Sequence, residues 1–81
     1  MISMVTLRNI ERRDGILSAD YFPEDREDSG RISIRESDGE EVEYIQAPTD
    51  SVGKFHGPVA YGLKQLVGVE KLPKEKTIMW Y

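Results

Sequence analysis

The sequence predicts an α+β fold: a four-strand antiparallel β-meander, one amphipathic helix on one face, and a fifth strand at the C-terminus (β-β-β-β-α-β). Three observations point to it. Four segments alternate apolar and polar residues at period two, and two of the breaks between them carry Asp-Gly. Between residues 58 and 67 the apolar spacing switches to three and four. The chain has 81 residues, room for a single domain over 1–81 and one core.

The elements follow in order. Residues 4–10 are rich in strand formers, with Val5 and Leu7 on one face. The Arg12-Arg13-Asp14-Gly15 stretch breaks the pattern, and Asp-Gly suits the positive φ of a tight hairpin. Ile16 to Phe22 forms the second strand, with Leu17, Ala19 and Tyr21 alternating against Ser18 and Asp20. Pro23 ends it, because proline cannot donate to a ladder. After an acidic loop at 24–30, Arg31 to Arg35 sets Ile32 and Ile34 against Arg31, Ser33 and Arg35. Ser37-Asp38-Gly39 marks a second hairpin, and Val42 to Ala47 the fourth strand, with Val42 and Tyr44 facing the core.

The helix carries Val59, Ala60, Leu63, Leu66 and Val67 on one stripe. Pro58 suits the first helical position and Gly68 the position just past the end. A start near Ser51 also fits the spacing of Val52, Phe55 and Val59. It would bury Pro58 in the interior, at about 3 kcal/mol, so the start at Pro58 is the better reading. Residues 77–81 form a short, strongly strand-forming tail. A helix of about eleven residues is ~16 Å long, enough with its connections to cross a sheet ~19 Å wide. The tail is therefore expected beside the first strand, in the order 5-1-2-3-4. The expected core is Val5, Leu7, Leu17, Ala19, Tyr21, Ile32, Ile34, Val42, Tyr44, Val59, Leu63, Leu66, Ile78 and Trp80.

Charge and composition narrow the function classes. The net charge is −4, and there is no cysteine. That excludes disulfides and thiolate metal sites. An acidic total argues against binding a nucleic-acid backbone. No apolar run has the ~18 residues of a membrane span, and no signal-peptide core opens the chain, so no membrane contact is expected and the cytoplasm is the expected location. Charge is also segregated. Residues 1–50 hold six arginines against thirteen acidic residues, and residues 51–81 five lysines against two glutamates. This suits two surfaces of opposite sign, or simply a solvated acidic sheet and a solvated basic helix.

Few residues suggest chemistry. His56 is the only histidine. It lies in Gly53-Lys54-Phe55-His56-Gly57-Pro58, just before the helix. Lys54 and His56, with the N–H groups of Val59 and Ala60, could hold a phosphate or nucleotide at the positive end of the helix dipole. The spacing matches neither phosphate-loop pattern, and plain loop and capping roles explain the same residues. Asp50, Ser51 and His56 are residue types of a hydrolytic triad, but one irregular stretch rarely builds that geometry, and Asp50 or Ser51 better suits a turn residue that hydrogen-bonds its own backbone. The acidic loop lacks calcium-loop spacing, and Arg26 sits within it. No catalytic residue, metal or cofactor is therefore assigned.

Strand alternation puts Ile16, Phe22, Ile45, Met79 and Tyr81 on the face opposite the helix. There they could form an apolar patch for a partner protein or a second copy, or lie scattered without consequence. The expectation is a non-catalytic interaction or regulatory module, self-association included. The alternative is a small-ligand or anion-binding domain at 53–60.

Overall fold

The computed structural model describes residues 3–24 and 26–80, in which the alternating segments pair as one antiparallel sheet. In chain order the elements are β1 (Ser3–Arg13), β2 (Ile16–Pro23), β3 (Gly30–Arg35), β4 (Glu41–Ile45), α1 (His56–Lys64) and β5 (Glu75–Trp80). The strand order is β4-β3-β2-β1-β5, so the C-terminal strand lies beside the first, as expected. The Asp14-Gly15 turn has φ of 52° and 78° at its two central residues. These left-handed values match the twist of the strands they join.

Two irregularities shift the side-chain phase. Between Arg8 and Glu11 the β1–β2 register slips, so Asn9 and Ile10 together oppose Ala19. Asn9 has φ 55°, a conformation its short polar side chain tolerates. The extra residue turns Ile10 onto the helix side, where it packs against the core. It also carries β1 on to Arg13, through residues expected to lie in the turn. A second slip lies between Ser33 and Ile34, which face Glu43 and Glu41. Val42 is the unpaired residue there. It is 43% exposed rather than buried, which corrects its expected place in the core.

One face of the sheet meets α1. Val5, Leu7, Leu17, Ala19, Tyr21, Ile32, Ile34, Val59, Leu63 and Leu66 are buried, while Tyr44, Ile78 and Trp80 are partly buried against them. Ala47 and Phe55 join this core. The Phe55 ring meets Trp80 edge-on at 5.7 Å between centroids. At Gly62 the helix comes so close to the sheet that a Cβ would sit 2.6 Å from Ile78 Cδ1.

The helix begins two residues before the expected start. His56 is its first residue and Phe55 its N-cap. Pro58 is therefore the third helical residue. It is harmless there, because the first four N–H groups of a helix have no intrahelical acceptor. The regular helix has nine residues and ends at Lys64, short of Val67. Tighter turns continue it, with Leu66 N donating to Leu63 O at 3.0 Å and Val67 N to Lys64 O at 3.2 Å. Gly68, with φ 78°, reverses the chain.

Arg12 pins this end. Its guanidinium grips Glu36 through two bonds, of 2.6 and 2.9 Å, and donates to Leu66 O at 3.4 Å. Glu36 also accepts from Gly68 N. The hydrogen bond from Arg12 holds the Glu36 carboxyl below its ordinary value near 4.5. A carboxylate depressed by folding stabilises the fold above its unfolded pKa, and that contribution disappears as pH falls through the folded value. Asp28 and Asp38 are also lowered, by hydrogen bonds to Thr49 and to the Glu40 backbone respectively. Glu36→Gln should therefore flatten the loss of melting temperature between about pH 5 and pH 2. A calorimetric series in which the variant and parent curves run parallel would disprove the linkage.

Candidate interaction surface

The face away from α1 is built by Met4, Thr6 and Arg8 of β1, the even-numbered residues of β2, the odd-numbered residues of β3, and Glu75, Thr77 and Met79 of β5. Pairing registers place these side chains in cross-strand rows. One row runs Glu75, Arg8, Asp20, Arg31, Ile45. Its charges pair: Arg8 with Glu75 at 3.3 Å, and Arg31 with Asp20 at 2.8 Å and Glu11 at 3.0 Å. The small residues between the charges are shielded. Thr6, Ser18 and Ser33 are buried, and the two serine hydroxyls share a 2.8 Å bond.

These rows decide how the expected patch is assembled. Ile16 sits between Arg13 and Arg35 at one end. Phe22 is six residues further along the same strand, about 20 Å at strand rise. Arg8 stacks over its ring at 4.9 Å. Met79 faces Met4 in the row next to Phe22. Ile45 lies at the far edge, beyond Arg31. The four residues therefore do not form one patch. Phe22 and Met79 share an end with Met4, while Ile16 and Ile45 stand apart behind charged neighbours. Tyr81 lies outside the described residues.

The β4 edge is different in character. The strand has five residues, and beyond it the sheet has no further neighbour among the described residues. Ile45 is 54% exposed, and the bulged Val42 stands clear of the core. The inner side of the same strand is fixed by an aromatic column. Tyr21 stacks on Tyr44 at 5.7 Å, and Tyr44 on His56 at 4.0 Å. The Tyr21 hydroxyl accepts from Ala47 N at 2.7 Å and shares a 2.8 Å bond with the Tyr44 hydroxyl. Desolvation, then the bond to Tyr21, pushes the Tyr44 phenol well above its ordinary value. Tyr21→Phe leaves the buried Ala47 N–H without its acceptor, at about 1–3 kcal/mol. Urea unfolding measures it, and a change below ~0.5 kcal/mol would contradict the bond's role.

The residues expected to hold an anion are directed elsewhere. His56 Nε2 lies 2.6 Å from Glu41 Oε2. Lys54 Nζ turns to Glu24 at 3.6 Å. Val59 N, expected to be free, donates to Phe55 O at 2.9 Å as the first helical bond. Ala60 follows it within α1. Asp50, expected as a turn residue that bonds its own backbone, caps the approach to the helix. Buried Asp50 accepts from Lys54 N at 3.0 Å and Phe55 N at 3.3 Å. A carboxylate there also suits the positive end of the dipole. Its partners are backbone amides and those of His56 are Glu41 and Tyr44, so the two are not arranged as a triad with exposed Ser51. A depression of about 190 Å³ does lie beside this cap, lined by Glu24, Arg26, Thr49, Ser51 and Lys54 among others. Its two cations are both paired with Glu24, at 3.6 Å each.

Searches of protein-family models, curated proteins and solved structures find no match to this chain. The functional reading therefore rests on the surfaces just described. No helix among the described residues is long and apolar enough to cross a membrane.

Proposed function

We propose that this chain is a non-catalytic, cytoplasmic interaction module that engages a protein partner, or a second copy, at the β4 edge. The observation that carries this reading is an open strand edge with Val42 and Ile45 both exposed beside it. Unpaired strand edges offer backbone donors and acceptors to another chain. The bulge at Val42 interrupts that ladder, which limits backbone pairing to residues 43–45 and leaves side chains to supply the rest. The anion-binding alternative is weaker, because Lys54 and His56 already face carboxylates.

A photo-crosslinking side chain at Ile45, with one at exposed Tyr61 as control, tests the reading in lysate of the source cell. Adducts specific to position 45, lost in Val42→Lys, are expected. Equal labelling at both positions, or none, would refute it.

A further inference from the structure

We propose that the segment from the end of α1 to the start of β5 docks an acidic peptide stretch of a partner protein. This goes beyond the interaction reading at the β4 edge, because it names a partner chemistry for a different surface. Lys64, Lys71, Lys74 and Lys76 fall within thirteen residues. The last three lie within about 17 Å of one another by chain length alone. Lys64, Lys71 and Lys74 are exposed, and Lys76 is partly buried on the helix side of β5.

None of the four lysines stands in an ion pair among the described residues. A shortage of acids does not cause this, since the chain holds fifteen acidic residues against eleven basic. Lys54 has a carboxylate partner, as do Arg8, Arg12, Arg26, Arg31 and Arg35. Within the segment, Glu75 is taken by Arg8 across the strands, which leaves Glu70 as the remaining acid. Lys64 complements the negative end of the helix dipole, but that effect fades within the last turn. It does not account for Lys71, Lys74 or Lys76.

The chemistry favours a peptide over nucleic acid. The segment contains no aromatic residue on which a base could stack. It does carry exposed Val69 and half-buried Leu72 between the lysines, an apolar contact suited to side chains of a peptide. Glu24 of the acidic loop pairs with Arg26 and Lys54 rather than with a lysine of 64–76, so it does not cancel the positive field there.

The test is an amide-shift titration of the full chain with deca-glutamate, with a ten-nucleotide single strand as comparator. Shifts confined to 64–76 are expected, weakening about tenfold between low and high salt as screening shortens the field. Lys71→Glu with Lys74→Glu should abolish them while the rest of the spectrum stays in place. No shift, shifts elsewhere, tighter binding of the oligonucleotide, or an unchanged response in the double variant would each overturn the proposal. Concentration-dependent shifts at 64–76 without peptide would also overturn it, in favour of a second copy as occupant. If the peptide fails while crosslinks at Ile45 persist, only the lysine surface falls; the reverse outcome removes only the β4 edge.

Discussion

Replacing Gly30 by alanine should destabilise the protein by about 3 kcal/mol or more, the upper end for an overpacked site. Gly30 opens β3 opposite Tyr21, whose ring lies across it. An added Cβ would stand 2.5 Å from Tyr21 Cζ, and it would collide with Tyr21 Cε1 and the Ile45 carbonyl oxygen as well. Neither neighbour can yield cheaply. The ring is fully buried and its hydroxyl is bonded on two sides, while the carbonyl belongs to β4. A domain of this size has only about 4–12 kcal/mol in total (0.05–0.15 per residue), so the variant should lose much of its stability. Urea unfolding with circular dichroism measures the change. A midpoint within error of the parent would show that Tyr21 can leave its position, and that the aromatic column does not fix the β4 edge.

Leu63→Ala should cost about 2–5 kcal/mol. Leu63 is fully buried on the sheet side of α1, so its removal leaves a cavity between the two layers. Tyr61, two residues earlier, is 62% exposed. Its change to alanine should stay within about 0.5 kcal/mol, as surface substitutions usually do. The contrast tests which side of the helix roofs the sheet. Equal effects from the two substitutions would contradict a one-sided core. It would also put in doubt which sheet face is open to partners.

The two proposed surfaces have different physical origins. At β4 the surface arises because a five-residue strand ends the sheet and a bulge turns Val42 outward. At 64–76 it arises because the sequence gathers four lysines there against two acids, of which Glu75 is already paired with Arg8. Ile45 and Lys71 themselves are exposed and lie outside the core. Substitutions at Ile45 or Lys71 should therefore alter association without altering stability beyond a few tenths of a kcal/mol, which makes both proposals testable with folded protein.

Local rules in the sequence were enough for the element order. Period-two alternation placed Leu17, Ala19 and Tyr21 on one side, and Ile32 with Ile34 beside them, because a strand offers only two faces. The Asp14-Gly15 pair announced its turn through the positive φ it accepts. Spacings of three and four marked Val59, Leu63 and Leu66 as a helical stripe, and all three are buried. The place of the last strand followed from how far one helix can carry the chain.

Tertiary structure decided what depends on a partner distant in sequence. The bulges at Asn9–Ile10 and at Val42 exist because β1 and β4 must pair with neighbours out of step by one residue, and a period count within one strand cannot see that. The helix start moved to His56 because buried Asp50 supplies acceptors for the amides of Lys54 and Phe55, while Pro58 loses nothing within the first turn. Strand alternation put Ile16, Phe22, Ile45 and Met79 on a common face. Their separation along that face was set by register between strands, which only the assembled sheet fixes. Sequence thus determined which side of a strand is apolar wherever no bulge interrupts it, since that is a property of neighbouring residues. Which apolar residues meet one another, and which remain open to a partner, depended on pairing across the whole chain.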